Sequence, residues 1–137
     1  MRTERYSGLR NLGATCYINS LLQQIHKNTL LGPLLCNKEV IQLDVNQQLF
    51  QLARLMSSLS HSLKSTIHPG DFIKSVRFHG EHINPVVQQD VNEFFMAFVD
   101  LLEKNGAQSL LGATLFGEIC NELTGEDDLR KFVKKGI

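Results

Sequence analysis

Apolar residues mark out four helical stretches along the chain. Ile18, Leu21, Leu22 and Ile25 recur at i, i+3, i+4 and i+7, which predicts a helix from about Cys16 to about Lys27. Thr15 precedes it as a candidate N-cap, its hydroxyl accepting from the free N–H groups of the first turn. Gly32-Pro33 should break the chain afterwards. A second stripe of Val45, Leu49, Leu52, Met56 and Leu59 predicts a second helix, capped by Asp44 and ending between Ser57 and Ser65. His68-Pro69-Gly70-Asp71, followed by Phe72, Ile73 and Val76, reads as a short helix with proline near its first position, and Arg77 to Pro85 as a loop. From Gln88 to about Lys104, the residues Val91, Phe94, Phe95, Phe98, Val99, Leu101 and Leu102 cover a broad face, so a mostly buried helix is expected. Past Gly106 the pattern weakens. Thr114 to Cys120 reads as a short strand before an acidic turn and a basic tail, or as a frayed end. The chain is therefore expected to be helix-rich, with strand only near its C-terminal end.

Composition narrows the picture. A length of 137 residues with 42% apolar content suits one domain around one core. Lys+Arg and Asp+Glu both count 14, so overall charge gives no nucleic-acid or membrane-surface footprint. No apolar run approaches the roughly 18 residues that span a bilayer, and Met-Arg-Thr-Glu-Arg-Tyr lacks the apolar core of a secretory signal. The chain is expected to be soluble and intracellular, in cytoplasm or nucleus. With three prolines, no repeats and no low-complexity tract, it reads as a single unit. Cys16, Cys36 and Cys120 form an odd set with no C-x-x-C pair, which argues against a disulfide framework and a four-ligand zinc site; neither metal nor cofactor is called for.

One cysteine stands apart from the other two. A helix N-terminus carries about half a positive charge and exposed N–H donors, so a cysteine there has its thiolate form favoured. Cys16 sits at such a place, whereas Cys36 and Cys120 have no comparable setting and read as packing residues. Gly8 and Gly13 allow tight turns through which a substrate carbonyl can approach. Asn11, upstream of the thiol, offers an amide that can donate to the oxyanion formed when a thiolate attacks a carbonyl.

The run Gly8-Leu9-Arg10-Asn11-Leu12-Gly13-Ala14-Thr15-Cys16-Tyr17-Ile18-Asn19-Ser20-Leu21-Leu22-Gln23 resembles the cysteine box of the ubiquitin-specific proteases, the papain-like cysteine deubiquitinases. Gln88-Gln89-Asp90-Val91-Asn92-Glu93-Phe94-Phe95 resembles that family's Q-x-D-x-x-E-F stretch. The resemblance implies that Cys16 is the nucleophile attacking the carbonyl of ubiquitin's C-terminal glycine, and that Asn11 serves the oxyanion hole. It also implies that Asp90 and Glu93 meet the arginine-bearing tail of ubiquitin. Two carboxylates spaced i, i+3 at a helix start share a face and suit charge-assisted bonds to arginine, while for Asp90 a helix cap is the plainer reading. The implied partners are ubiquitin or ubiquitinated proteins, with no nucleic acid and no membrane.

The implied fold is mainly α: the helical thumb half of a papain-like cysteine peptidase, α+β when complete, with palm and fingers absent. Residues 1–137 then form part of a catalytic domain, with the cysteine box at 8–23 and the acidic block at 88–94. The histidine box that supplies the family's general base, and the Asp or Asn that orients it, have no match here. His26 follows Cys16 on the same predicted helix, about 15 Å along the axis at 1.5 Å per residue, beyond hydrogen-bond reach. His61 and His68 are expected in solvent near the second and third helices, and His79 and His82 on the loop. Leu123 stands where a zinc knuckle beginning at Cys120 would need its second cysteine. Two readings follow: a cysteine deubiquitinase represented by its N-terminal portion, and a catalytically inactive module that binds ubiquitin or another partner.

Overall fold

In a computed structural model that describes residues 6–35, 47–106, 111–112, 119–124 and 131–136, the chain is mainly helical. Helix α1 spans Cys16–Lys27, as its apolar spacing predicts, and turns Ile18, Leu22 and Ile25 into the core. Asn28 closes it: its N–H donates to the carbonyls of Gln24 and Ile25, and its Oδ1 accepts from Leu30 N and Leu31 N at 3.0 and 2.8 Å. Those last two bonds open a short helix, α2 (Leu31–Leu34), so Gly32-Pro33 does not break the chain but lies within a helical turn. Pro33 is tolerated because first-turn N–H groups have no intrahelical partner to lose. Gly32 is needed because a Cβ there would lie 2.7 Å from the His26 carbonyl oxygen.

Helix α3 (Gln47–His61) carries Leu49, Leu52, Met56 and Leu59 inward, as their spacing predicts; Val45 and Asp44 lie outside the described residues. Helix α4 (Gly70–Ser75) follows, with Pro69 in the cap position and Phe72 and Ile73 buried. Helix α5 (Val91–Lys104) buries Phe94, Phe98, Val99 and Leu102. Val91 and Met96 are 46% and 53% exposed, so α5 is amphipathic rather than mostly buried. The Tyr17 ring meets Phe94 edge-on at 5.6 Å, joining α1 to α5. Each fully buried Leu, Ile or Phe contributes about 1.5–3 kcal/mol of transfer free energy, so this layer of facing helices supplies the main stabilising term.

Strand is not confined to the C-terminal end. Strands β1 (Gly8–Leu9) and β2 (Thr66–Ile67) pair in parallel, with Gly8 N donating to Ser65 O at 2.8 Å and Arg10 N to Ile67 O at 2.9 Å. The expected loop from Arg77 contains an antiparallel hairpin, β3 (Arg77–Phe78) with β4 (Glu81–His82). Its two turn residues, His79 and Gly80, both have positive φ, at 52° and 81°. That is the mirror-image turn whose twist matches a hairpin. Ladders of two residues are too short to impose an alternating apolar pattern, which is why periodicity missed them. Near the C-terminus, β5 (Ile119–Thr124) pairs antiparallel with β6 (Lys131–Gly136). Of the strand expected at 114–120, Ile119 and Cys120 fall in β5 and residues 114–118 lie outside the described residues. The expected basic tail is itself a strand, and Glu122 of the expected acidic turn lies in its partner. Among the described residues no helix is long and apolar enough to cross a membrane.

Candidate active site

Cys16 is the first residue of α1 and its side chain is exposed. The turn before it is locked from within. Asn11 Oδ1 accepts three hydrogen bonds, from Gly13 N at 3.0 Å, Thr15 N at 3.2 Å and Thr15 Oγ1 at 3.1 Å. Three donors converging on one atom fix which end of the amide is oxygen, and the Nδ2 end has no partner among the described residues. Thr15 occupies the N-cap position, but its side chain makes no cap bond to α1. Fully buried, it points back into the turn, accepting from Leu12 N at 3.0 Å while donating to Asn11. The expected capping role is thereby corrected. At φ −97° and ψ 15° the residue lies outside the extended conformation that aims a capping hydroxyl at the helix N–H groups.

Two side chains of α1 tie this turn to the strand before it. Asn19 Nδ2 donates to the carbonyls of Leu9 and Arg10 at 3.4 and 3.3 Å, and Gln23 Nε2 donates to Ser7 O at 2.9 Å. Both lie within the cysteine-box run, but nothing in their spacing announces these contacts. Gly13 has φ +136°, and a Cβ there would stand 3.0 Å from Pro85 O and 3.4 Å from Val86 Cγ1. The carbonyl that approaches Gly13 closely is thus the chain's own. Ala14 N donates to that same Pro85 oxygen at 2.6 Å. The 84–88 segment is shaped by Asn84, which accepts from Val86 N through its side chain (3.2 Å) and from Val87 N through its carbonyl (3.1 Å). It delivers the Gln88 amide to 4.0 Å from Cys16 Sγ, the outer limit of an N–H···S hydrogen bond.

None of the histidines hydrogen-bonds to Cys16. His26 Nε2 meets Ser60 Oγ at 3.0 Å across α1 and α3, and His61 Nδ1 meets Ser57 O at 3.0 Å. His68 Nδ1 accepts from Gly70 N at 3.1 Å, and the His79 ring rests on Phe78 at 4.2 Å between centroids. His82 lies exposed in β4. Burial pushes the His26 pKa below its ordinary value, with the neighbouring Lys27 charge adding to it, and Nδ1 is buried without a partner. Burial, and then Cys16 beside it, pushes the Tyr17 hydroxyl up, which keeps that group neutral.

Asp90 caps α5: its Oδ1 accepts from Asn92 N at 2.8 Å and Glu93 N at 3.1 Å. The plainer reading of this residue is therefore realised, and Oδ2 is left without a partner among the described residues. Glu93 is exposed and lines an open cleft of about 750 Å³ between α5, the α3 start and the β3–β4 hairpin. Asp90 is not on its wall. Gln48, Arg77, His79 and Met96 are, and sequence reasoning had no reason to select them, because the hairpin that brings Arg77 and His79 to α5 was itself unseen.

An exposed thiol thus opens a helix beside a rigid Asn-bearing turn in a mainly helical domain. The family model for ubiquitin carboxyl-terminal hydrolase matches residues 7–131, and the chain belongs to that family. It is 40% identical over 98 residues to ubiquitin carboxyl-terminal hydrolase 26 of Arabidopsis thaliana, a match covering 72% of this chain and 9% of that protein. To the protein of the same name from Oryza sativa it is 41% identical over 101 residues, covering 74% of this chain and 9% of the other. Ubiquitin carboxyl-terminal hydrolase 4 of Arabidopsis thaliana is 34% identical over 113 residues, which is 30% of its length. The chain thus spans a minor part of these relatives. The resemblance carried by the cysteine box and the acidic block holds at the level of family.

Proposed function

We propose that residues 1–137 form part of the catalytic domain of a cysteine-type deubiquitinase that hydrolyses the bond after the C-terminal glycine of ubiquitin. The observation that carries the proposal is the exposed Cys16 thiol at the start of α1, with the unspent Nδ2 of Asn11 on the turn before it. In the proposed reaction the Cys16 thiolate attacks the glycine carbonyl carbon, and an S–C bond forms as the carbonyl oxygen takes the negative charge. Asn11 Nδ2 donates to that oxygen. The C–N bond to the leaving amine then breaks, and the amine takes the proton that a general base removed from the Cys16 thiol, a base that no histidine supplies at Cys16 in the described structure. Water hydrolyses the thioester to the free carboxylate and the thiol. Asp90 Oδ2 and the Glu93 carboxylate receive the arginines of the ubiquitin tail. The substrate class is ubiquitin or ubiquitinated protein, and the setting is cytoplasm or nucleus.

A second reading, a non-catalytic module that binds ubiquitin, draws support from one fact: no histidine hydrogen-bonds to Cys16 among the described residues. One experiment separates the two. The 137-residue chain is mixed with ubiquitin carrying a C-terminal electrophile and the adduct is mapped by peptide mass. Deubiquitinase machinery gives an adduct at Cys16 that disappears in Cys16→Ala and forms about 10²-fold more slowly in Asn11→Ala, the usual order of loss for one oxyanion donor. Binding without an adduct selects the module. Neither binding nor adduct rejects both.

A further inference from the structure

The acidic block supplies a side chain to the thiol that the carboxylate roles leave unused. Gln88 comes from a part of the chain 72 residues away from Cys16, and its Nε2 is the side-chain donor that reaches the Cys16 sulfur among the described residues. The approach is built rather than incidental. Ala14 N is bonded to Pro85 O at 2.6 Å, and Gly13 has no Cβ to hold Pro85 and Val86 away. Asn84 turns the backbone through Val86 and Val87 toward Gln88, and two residues later Asp90 anchors the chain to the start of α5. The segment is therefore held at both ends, with Gln88 between them.

Resting on the reading of Cys16 as nucleophile, we propose that Gln88 is a positioning residue whose side-chain amide donates to the sulfur and holds it in place for attack. A hydrogen bond to a charged acceptor is stronger than one to a neutral acceptor, so the restraint is firmest on the attacking form of the sulfur. It also limits the sulfur's freedom to rotate about χ1 into orientations turned away from an incoming carbonyl. No titratable base supplies this restraint in the described structure.

The test uses the intact chain and needs no ubiquitin. Cys16 is alkylated with iodoacetamide at neutral pH and the rate is read on the Cys16 peptide, separately from the peptides bearing Cys36 and Cys120. Gln88→Met keeps the length of the side chain and removes the donor; it is expected to slow alkylation about three- to tenfold, the range for the net strength of an ordinary hydrogen bond. Gln88→Lys returns a donor and is expected to restore or exceed the wild-type rate. Because Gln88 is exposed, thermal melts of both variants should coincide with wild type. Alkylation of Gln88→Met at the wild-type rate overturns the proposal, as does equal slowing in both variants. The two proposals fail separately: wild type that alkylates normally but gives no adduct with the ubiquitin electrophile defeats the deubiquitinase reading, while the Gln88 comparison still stands or falls on its own.

Discussion

At the scale of single residues, Thr15 shows how a short motif hides its own wiring. A Gly-Ala-Thr-Cys run before an apolar stripe announces a helix start, and the thiol's place at its first position was legible from that alone. The direction of the Thr15 hydroxyl was not, because it depends on a backbone ψ of 15° that no local pattern dictates. Thr15→Val keeps the shape, leaves Leu12 N without its acceptor and takes one donor from Asn11. Orphaning a buried backbone donor costs about 1–3 kcal/mol and the Leu12 N–H is part-buried, so a urea melt should show a loss of about 1 kcal/mol, with Thr15→Ser close to wild type. His26 supports a second expectation. Its pKa is lowered in the fold from the ordinary 6.5, so the unfolded chain binds the proton more readily. Stability is then fully present above about pH 6.5 and falls as the pH drops through that value toward the lower folded pKa. Melting temperatures measured between pH 7.5 and 5 should decline on the acid side, and His26→Gln should flatten that decline.

At the scale of elements, periodicity found α1, α3, α4 and α5, because each buries a stripe wide enough to leave a signature. It missed α2, whose turn rests on the Asn28 side chain, and the hairpin, whose turn rests on two residues with positive φ. Neither device has a hydrophobic period to read. The hairpin yields a direct check: His79 holds a left-handed conformation that costs a non-glycine residue about 1 kcal/mol, so His79→Gly should stabilise the fold slightly and Gly80→Ala destabilise it by a similar amount in chemical denaturation. Helix α5 separates two roles that sequence left superposed on Asp90. Asn caps as well as Asp, so Asp90→Asn should keep the melting midpoint while weakening any ubiquitin binding read by calorimetry. Asp90→Ala should also cost about 1 kcal/mol of stability. Equal binding by Asp90→Asn and wild type would confine this carboxylate to the cap.

At the scale of the whole molecule, one core gathers α1, α3, α4 and α5 around Ile18, Leu22, Met56, Phe72 and Phe94, each at most 2% exposed. Leu22→Ala should cost about 2–5 kcal/mol, enough to remove much of the margin of a domain this size. The exposed Val91 and Met96 leave apolar surface open on α5, so the chain should bind an environment-sensitive apolar dye, and Met96→Gln should reduce the signal. The clasp between the Cys16 turn and the 84–88 segment also carries a consequence in time. Its partners are separated by more than half of the chain, so the clasp closes only after the intervening helices have found one another, whereas α1 can coil locally. During refolding from denaturant, helical ellipticity should therefore rise before Cys16 acquires its native rate of alkylation. The interval between the two signals would time the last closure of the fold.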